Sequence, residues 1–307
     1  MTEDIGLVDP YGRNINSLRV SITHRCNFNC FFCHGEGESG GSGEATVYEI
    51  EAVVSTAANL GVRSVKITGG EPLLRSDLIE IVRKISPLVD EVSMTTNGVG
   101  LAEKACELKE AGLKRVNVSL HSADPTMFRK IVGVDTLDEV KRGIEVAQEC
   151  GLNPIKLNMV VMRGVNEAEV SGMIEYSKST GAILQLIEYQ ALERGVEGYG
   201  DYHYDLRPLE EELAARSDRI VERKLHRRRQ YWLKGGGVVE VVRPMHNSEF
   251  CNNCTRLRLT SDGHLKPCLM RGDNHVEAVQ RFREGGVEGL VDAFREAVAL
   301  REPYWRK

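Results

Sequence analysis

From residue 17 to about 190, short aliphatic and β-branched runs alternate with longer stretches in which apolar positions recur at helical spacing. The pattern predicts strands at 18–23, 65–68, 92–96, 116–120, 156–162 and 183–189, with helices at 47–60, 77–86, 101–111, 137–149 and 167–180. A further helical turn is predicted after Asp124-Pro125, where a capping aspartate precedes a proline suited to the first helical position. Gly61, Gly112, Gly151 and Gly181 fall where those helices end and a left-handed cap is needed. Strands alternating with helices imply a parallel sheet with right-handed crossovers. Six units fall short of a closed eight-unit barrel, so the expected fold class is α/β, either a partial barrel or an open sheet. Ligands should gather at the C-terminal ends of its strands.

After residue 190 the texture changes. Residues 193–205 read as a linker and 206–217 as helical. Runs at 220–225, 230–233 and 238–242 predict antiparallel strands around the Gly235-Gly236-Gly237 turn, followed by helices at 276–283 and 287–300. The expected division is therefore 1–190 and 191–307. Residues 35–45, GEGESGGSGEA, form a low-complexity stretch expected to be mobile.

Composition narrows the function classes. The net charge of −5 offers no global positive field for nucleic acid. The basic run 223–229 lacks interleaved aromatics and reads as a solvated strand face. No apolar run approaches the ~20 residues that span a bilayer. The first residues are polar and acidic, without the apolar region of a signal peptide, so the expectation is a cytoplasmic protein with no membrane partner.

The eight cysteines fall into two triads, Cys26/Cys30/Cys33 and Cys251/Cys254/Cys268, plus Cys106 and Cys150. Such clustering in a reducing compartment suggests metal rather than disulfides. Cys106 and Cys150 sit late in predicted helices and read as small hydrophobes. Three thiolates on one short loop after the first strand can each hold a different iron of a four-iron cluster, leaving one iron open. The competing reading is structural zinc, completed by His24 or His34 at the first triad and by His246, His264 or His275 at the second.

The Cys-x3-Cys-x2-Cys motif, with Phe32 before its third cysteine, resembles the signature of radical S-adenosylmethionine enzymes. Gly69-Gly70-Glu71-Pro72 resembles the segment that receives the methionyl amino group, and Thr95-Thr96-Asn97-Gly98 and Ser119 end later strands. The second triad with Thr255-Arg256-Leu257-Arg258 and Ser261-Asp262-Gly263 narrows the resemblance to the GTP 3′,8-cyclases, which begin molybdenum cofactor biosynthesis. It runs from about residue 10 to 300.

That resemblance implies a radical S-adenosylmethionine type partial (β/α)6 barrel over 1–190, with a β-rich and helical extension over 191–307 that completes the barrel mouth. It implies two [4Fe-4S] clusters, on Cys26, Cys30 and Cys33 and on Cys251, Cys254 and Cys268. S-adenosylmethionine would meet Phe32, Gly70, Glu71, Ser119 and Gln190, and GTP would meet Arg19, Lys66, Thr95, Lys156, Arg256 and Arg258. Reductive cleavage at the first cluster would release a 5′-deoxyadenosyl radical that takes the ribose 3′ hydrogen; the resulting radical would attack C8 of guanine. Arg256 and Arg258 count with the first triad as catalytic. The implied partners are a reducing electron donor and the next molybdopterin-pathway enzyme, cyclic pyranopterin monophosphate synthase; a homodimer is compatible with the resemblance.

The chain departs from the family at Gln190, where methionine is common, and at His121, where aspartate is common. It ends Arg301-Glu-Pro-Tyr-Trp-Arg-Lys307 in place of a Gly-Gly tail. A peptide-modifying radical enzyme is the second reading, disfavoured by the single auxiliary triad and by Arg256-x-Arg258. A zinc-bearing nucleic-acid module is the third.

Overall fold

The computed structural model describes residues 6–35, 43–192 and 196–305. Most of the low-complexity stretch and the start of the predicted linker lie outside the described residues.

The first part of the chain runs β1 (Ser17–Ser21), α1 (Val47–Asn59), β2 (Ser64–Thr68), α2 (Leu78–Ile85), β3 (Glu91–Thr96), α3 (Leu101–Glu110), β4 (Arg115–Ser119), α4 (Pro125–Val132), α5 (Leu137–Glu149), β5 (Lys156–Val161), α6 (Val170–Ser179) and β6 (Ile183–Glu188). Local chemistry sets several of these boundaries. Thr46 and Glu49 form a reciprocal capping box at the start of α1. Asp124 caps α4 ahead of Pro125, and Gly133 ends that helix at φ 82°.

The second part supplies α7 (Tyr199–Tyr202), α8 (Arg207–Ala215), β7 (Ser217–Glu222), β8 (Arg229–Leu233), β9 (Val238–Val242), α9 (Ser248–Asn252), β10 (Arg256–Leu259), β11 (His264–Lys266), β12 (Val276–Glu277) and α10 (Val279–Ala299). The predicted strand at 220–225 lies three residues earlier, because His226 and Arg227 adopt positive φ and turn the chain. The two predicted C-terminal helices form one element kinked at Gly286 (φ 62°, ψ −145°). Residues 276–277 of the first predicted helix pair instead with β11.

All strands belong to one open sheet in the order β12-β11-β10-β1-β2-β3-β4-β5-β6-β9-β8-β7. The six early strands run parallel, and the C-terminal part adds strands at both edges, β10 beside β1 and β9 beside β6. This is the partial barrel with its extension, and the C-terminal strands continue the barrel wall as well as its mouth.

Side-chain alternation explains what the barrel encloses. Outward positions are aliphatic and buried beneath the helices: Leu18 and Val20, Val65 and Ile67, Val92 and Met94, Val116 and Val118, Leu157 and Met159, Leu184 and Leu186. Inward positions are polar: Ser17 and Arg19, Ser64 and Lys66, Ser93 and Thr95, Arg115 and Asn117, Lys156 and Asn158, Arg256 and Arg258 all line a central cavity of about 1490 Å³. The hydrophobic core therefore lies between sheet and helices, and the barrel lumen is left to chemistry.

Cys106 and Cys150 are joined by a disulfide with Cα atoms 4.9 Å apart, linking α3 to the end of α5. This corrects the expectation of two separate packed thiols. The pairing arises where the two helices pack side by side, a contact invisible from positions 44 residues apart. No helix among the described residues is long and apolar enough to cross a membrane.

Candidate active site

The cavity runs the length of the barrel with a cysteine triad at each end. The C-terminal ends of the parallel strands are termed upper and the N-terminal ends lower. The upper triad follows β1. Its loop is pinned by an Asn29 amide bond to the Val132 carbonyl (2.9 Å) and by an Asn97–Asn27 side-chain bond (2.6 Å). Aromatic edges hold the rest: Phe28 against Phe128, Phe31 against Tyr202, and Phe32 against His121 at 4.7 Å.

The glycines after β2 answer a packing demand. The Gly70 amide donates to the Thr23 carbonyl and the Glu71 amide to the Arg25 carbonyl, each at 2.7 Å, so the two loops cross in contact. A Cβ at Gly70 would lie 2.2 Å from the Arg25 oxygen. The Glu71 carboxylate is fully engaged by protein: it accepts from the amides of Leu73 (2.9 Å) and Asn97 (2.6 Å) and from the Thr96 hydroxyl (2.7 Å). Burial nevertheless pushes its pKa up to about 7.

His121 is buried, and its Nδ1 accepts from the Val160 amide at 3.1 Å. Burial lowers its pKa to about 4, so the ring is neutral with its proton on Nε2. Gln190 lines the same end of the cavity; its Oε1 is buried without a hydrogen-bond partner among the described residues.

The lower triad gathers where β10 begins. Cys251, Cys254 and Cys268 all face the cavity and act electrostatically on one another. Three residues absent from the sequence-based expectation hold them. Asp9 pairs with Arg13 at 2.7 Å and with Arg301 at 3.2 Å. Arg13 donates to the Cys251 carbonyl at 2.8 Å; Arg301 donates to the carbonyls of Cys254 (2.9 Å) and Pro267 (2.8 Å). Arg301, only 2% exposed, thus ties the chain's end to all three cysteine segments through Asp9 and Arg13. Burial would raise the Cys254 thiol, but Arg301, the Arg256 amide and the Arg256 guanidinium outweigh it and favour thiolate. Cys254 thus suits a soft metal centre, whereas burial pushes the Cys251 thiol up. Tyr304 lines the cavity beside it, and Trp305 packs on His246 at 4.1 Å.

Between the triads the lumen is cationic. Arg258, Arg19 and Lys66 stand in direct cross-strand register. Lys66 donates to Asn117 at 2.9 Å. Burial, then Arg115, Arg19, Arg256 and Lys156, press its pKa well below the ordinary value. The buried Nε of Arg256 has no partner among the described residues. Lys156 differs: its ammonium pairs with Glu240 at 2.6 Å, side chains 5% and 0% exposed, and Glu240 also binds Arg228 (2.8 Å) and Gln230 (2.7 Å). Like charges gathered along one lumen favour a bound polyanion.

The basic run 223–229 departs from expectation in part. Arg223 and Lys224 are exposed at the rim of the cavity and Arg228 lines it, while Arg227 and Arg229 face solvent as expected. The intervening turn docks on the lower end, with the His226 amide on the Asn253 carbonyl (3.0 Å) and its ring stacked on Phe250 at 3.7 Å.

Residues 20–177 match the Radical SAM superfamily, and 182–307 match Molybdenum Cofactor Synthesis C. The fold is shared with solved structures: Streptococcus suis SuiB bound to precursor peptide SuiA (TM-score 0.68, 17% identity, covering 93% of this chain and 68% of that one) and anSMEcpe with bound AdoMet (TM-score 0.61, 19% identity, covering 91% and 81%). A relative from Pyrococcus abyssi, "Probable GTP 3′,8-cyclase", is 48% identical, covering 97% of this chain and 99% of its own. One of the same name from Methanothermobacter marburgensis is 45% identical, covering 97% and 98%. The chain belongs to the GTP 3′,8-cyclase family of radical S-adenosylmethionine enzymes.

Proposed function

We infer that the protein, acting in the cytoplasm, converts GTP to (8S)-3′,8-cyclo-7,8-dihydroguanosine 5′-triphosphate, the first step of molybdenum cofactor biosynthesis. The observation that carries this is a single cavity joining two cysteine triads through a row of cations. Its volume exceeds the few hundred Å³ up to ~1,000 Å³ usual for one small ligand, leaving room for two reactants.

Cys26, Cys30 and Cys33 would hold one [4Fe-4S] cluster; Cys251, Cys254 and Cys268 would hold the other. The chemistry supplied at the loaded upper triad is one-electron cleavage of S-adenosylmethionine, giving a carbon radical that takes the ribose 3′ hydrogen. Phe32, Gly70, Ser119 and Gln190 bound the space for S-adenosylmethionine. With its carboxylate saturated, Glu71 contributes through its backbone and by fixing Asn97. Arg256 and Arg258 hold the base end of GTP near the lower triad; Arg19, Lys66 and Thr95 line the adjoining wall. Lys156, held by Glu240, offers its remaining N–H donors. Enclosure between the triads keeps water and stray hydrogen donors from the reacting carbon.

The reading calls for a one-electron donor and for transfer of the product to cyclic pyranopterin monophosphate synthase; a homodimer is compatible with it. Anaerobically prepared protein should carry about eight irons per chain. Incubated reduced with S-adenosylmethionine and GTP, it should yield 5′-deoxyadenosine with a cyclised nucleotide. Zinc without iron, or deoxyadenosine formed only when a peptide is added, would refute the assignment.

A further inference from the structure

The cavity's lower rim carries charges the reaction scheme leaves unused. Lys114 and Arg115, at the start of β4, face Arg223 and Lys224, which follow β7, and all four line the cavity. Arg115 is anchored by Glu91 at 2.7 Å, which fixes its guanidinium at the rim. Arg223 makes no ion pair among the described residues; its position is set by the backbone, through its amide bond to the Arg228 carbonyl (2.8 Å).

The two sides of this rim are close in space although they come from distant parts of the sheet. Burial works to raise the Glu91 pKa, yet Arg115, Lys66 and Arg223 together hold it below its ordinary value. Arg223 and Arg115 likewise both bear on Arg228. The segment that brings Arg223 across is strained: His226 and Arg227 are consecutive non-glycine residues at φ 62° and 52°. Such strain persists where packing over-determines it, here through the His226–Phe250 stack and the amide bond to Asn253.

Resting on the GTP reading above, we propose that Arg115 and Arg223 form a terminal-phosphate pocket at the lower mouth of the barrel, which makes the site select nucleoside triphosphates over monophosphates. From the base end at Arg258, the cross-strand row Arg19–Lys66–Ser93–Arg115 carries the phosphate chain around the lumen wall, and the Arg115–Arg223 pair receives its last, most highly charged group. The C-terminal part of the chain thus sets how long a phosphate tail is accepted.

The test is calorimetric titration of protein carrying both clusters, without S-adenosylmethionine, using GTP, GDP and GMP. Arg223→Ala removes an exposed side chain that the fold does not need; Arg115→Gln probes the opposite wall. Each should weaken GTP about tenfold, as for one lost charge-assisted bond, while GMP stays within about twofold. Arg227→Ala is the control for charge alone, since Arg227 pairs with Glu222 and does not line the cavity; it should leave both affinities unchanged. An equal loss for GTP and GMP, or unaltered GTP binding by Arg223→Ala, would overturn the pocket. Wild-type protein that binds ATP as tightly as GTP would instead sink the parent reading. A GTP-over-GMP preference that survives Arg223→Ala undiminished, with guanine still favoured over adenine, would remove only the pocket.

Discussion

The two cysteine triads solve the same problem by opposite means. The upper one is a single loop, contiguous in sequence, with Cys26 and Cys33 exposed and its geometry set by aromatic edges and by Gly69-Gly70 beneath it. The lower one is assembled from separate segments and clamped by the buried ion network of Asp9, Arg13 and Arg301. A contiguous site can be shaped by local sterics, whereas a dispersed one needs long-range bonds that specify which segments meet. The difference predicts separate failure modes.

The largest effect is expected from Arg301→Gln, which leaves Asp9 buried with one cation fewer. Thermal or denaturant unfolding should show a loss of about 3–5 kcal/mol, as when one partner of a buried pair is removed. Iron should fall from about eight to about four per chain while slow cleavage of S-adenosylmethionine survives. Loss of the upper cluster instead would break the proposed independence of the two ends.

Opening the Cys106–Cys150 bond with Cys106→Ser should cost about 2–4 kcal/mol, the usual range for a disulfide, measured as a lowered denaturant midpoint. The bond lies outside the barrel, so both iron populations should persist. Gly70→Ala acts on the upper end alone. Its Cβ meets the Arg25 carbonyl, and displacing that loop by about 1 Å should cost about a hundredfold in deoxyadenosine formation, with lower-triad iron intact.

The most gradual effect, a slope with pH rather than a single loss, belongs to Glu71. Its folded pKa of about 7 lies above the unfolded value, so the native state binds more protons between about 4.5 and 7. Stability from this group is therefore greatest at low pH and declines as pH rises through that window, by no more than about 1.4 kcal/mol per unit. The stability gap between wild type and Glu71→Gln, followed by chemical denaturation from pH 5 to 8, should shift against the wild type as pH rises. A gap independent of pH would mean that the carboxylate stays ionised throughout.

Much of this was legible in sequence where the determinants are local. The six parallel strands and their helices follow from apolar period and glycine caps, and the upper triad from three cysteines within eight residues. What holds the lower triad was not. Asp9 and Arg301 lie 292 residues apart, and each alone reads as an ordinary surface charge. The 223–229 run is largely exposed as its composition implies, yet its cavity-rim residues stay hidden for a related reason: strand alternation says which residues share a face but not whether that face also borders a cavity. A better signal was present in the inward series Arg19, Lys66, Arg115, Lys156 and Arg258, with a cation on strand after strand at alternating positions. A cation on a solvent-facing strand is common, but five pointing into one lumen is a ligand signal.

The division of the strands into an aliphatic outer set and a polar inner set also bears on how this scaffold can be altered. Leu18, Val65, Met94 and Leu157 carry the packing, while the side chains between them face open space. Inward residues whose side chains make no hydrogen bond among the described residues, such as Thr95, can be exchanged for others of similar size with little disturbance to helix–sheet contacts. The same walls could be re-lined for a differently charged reactant: the lumen is a rewritable surface mounted on a fixed frame.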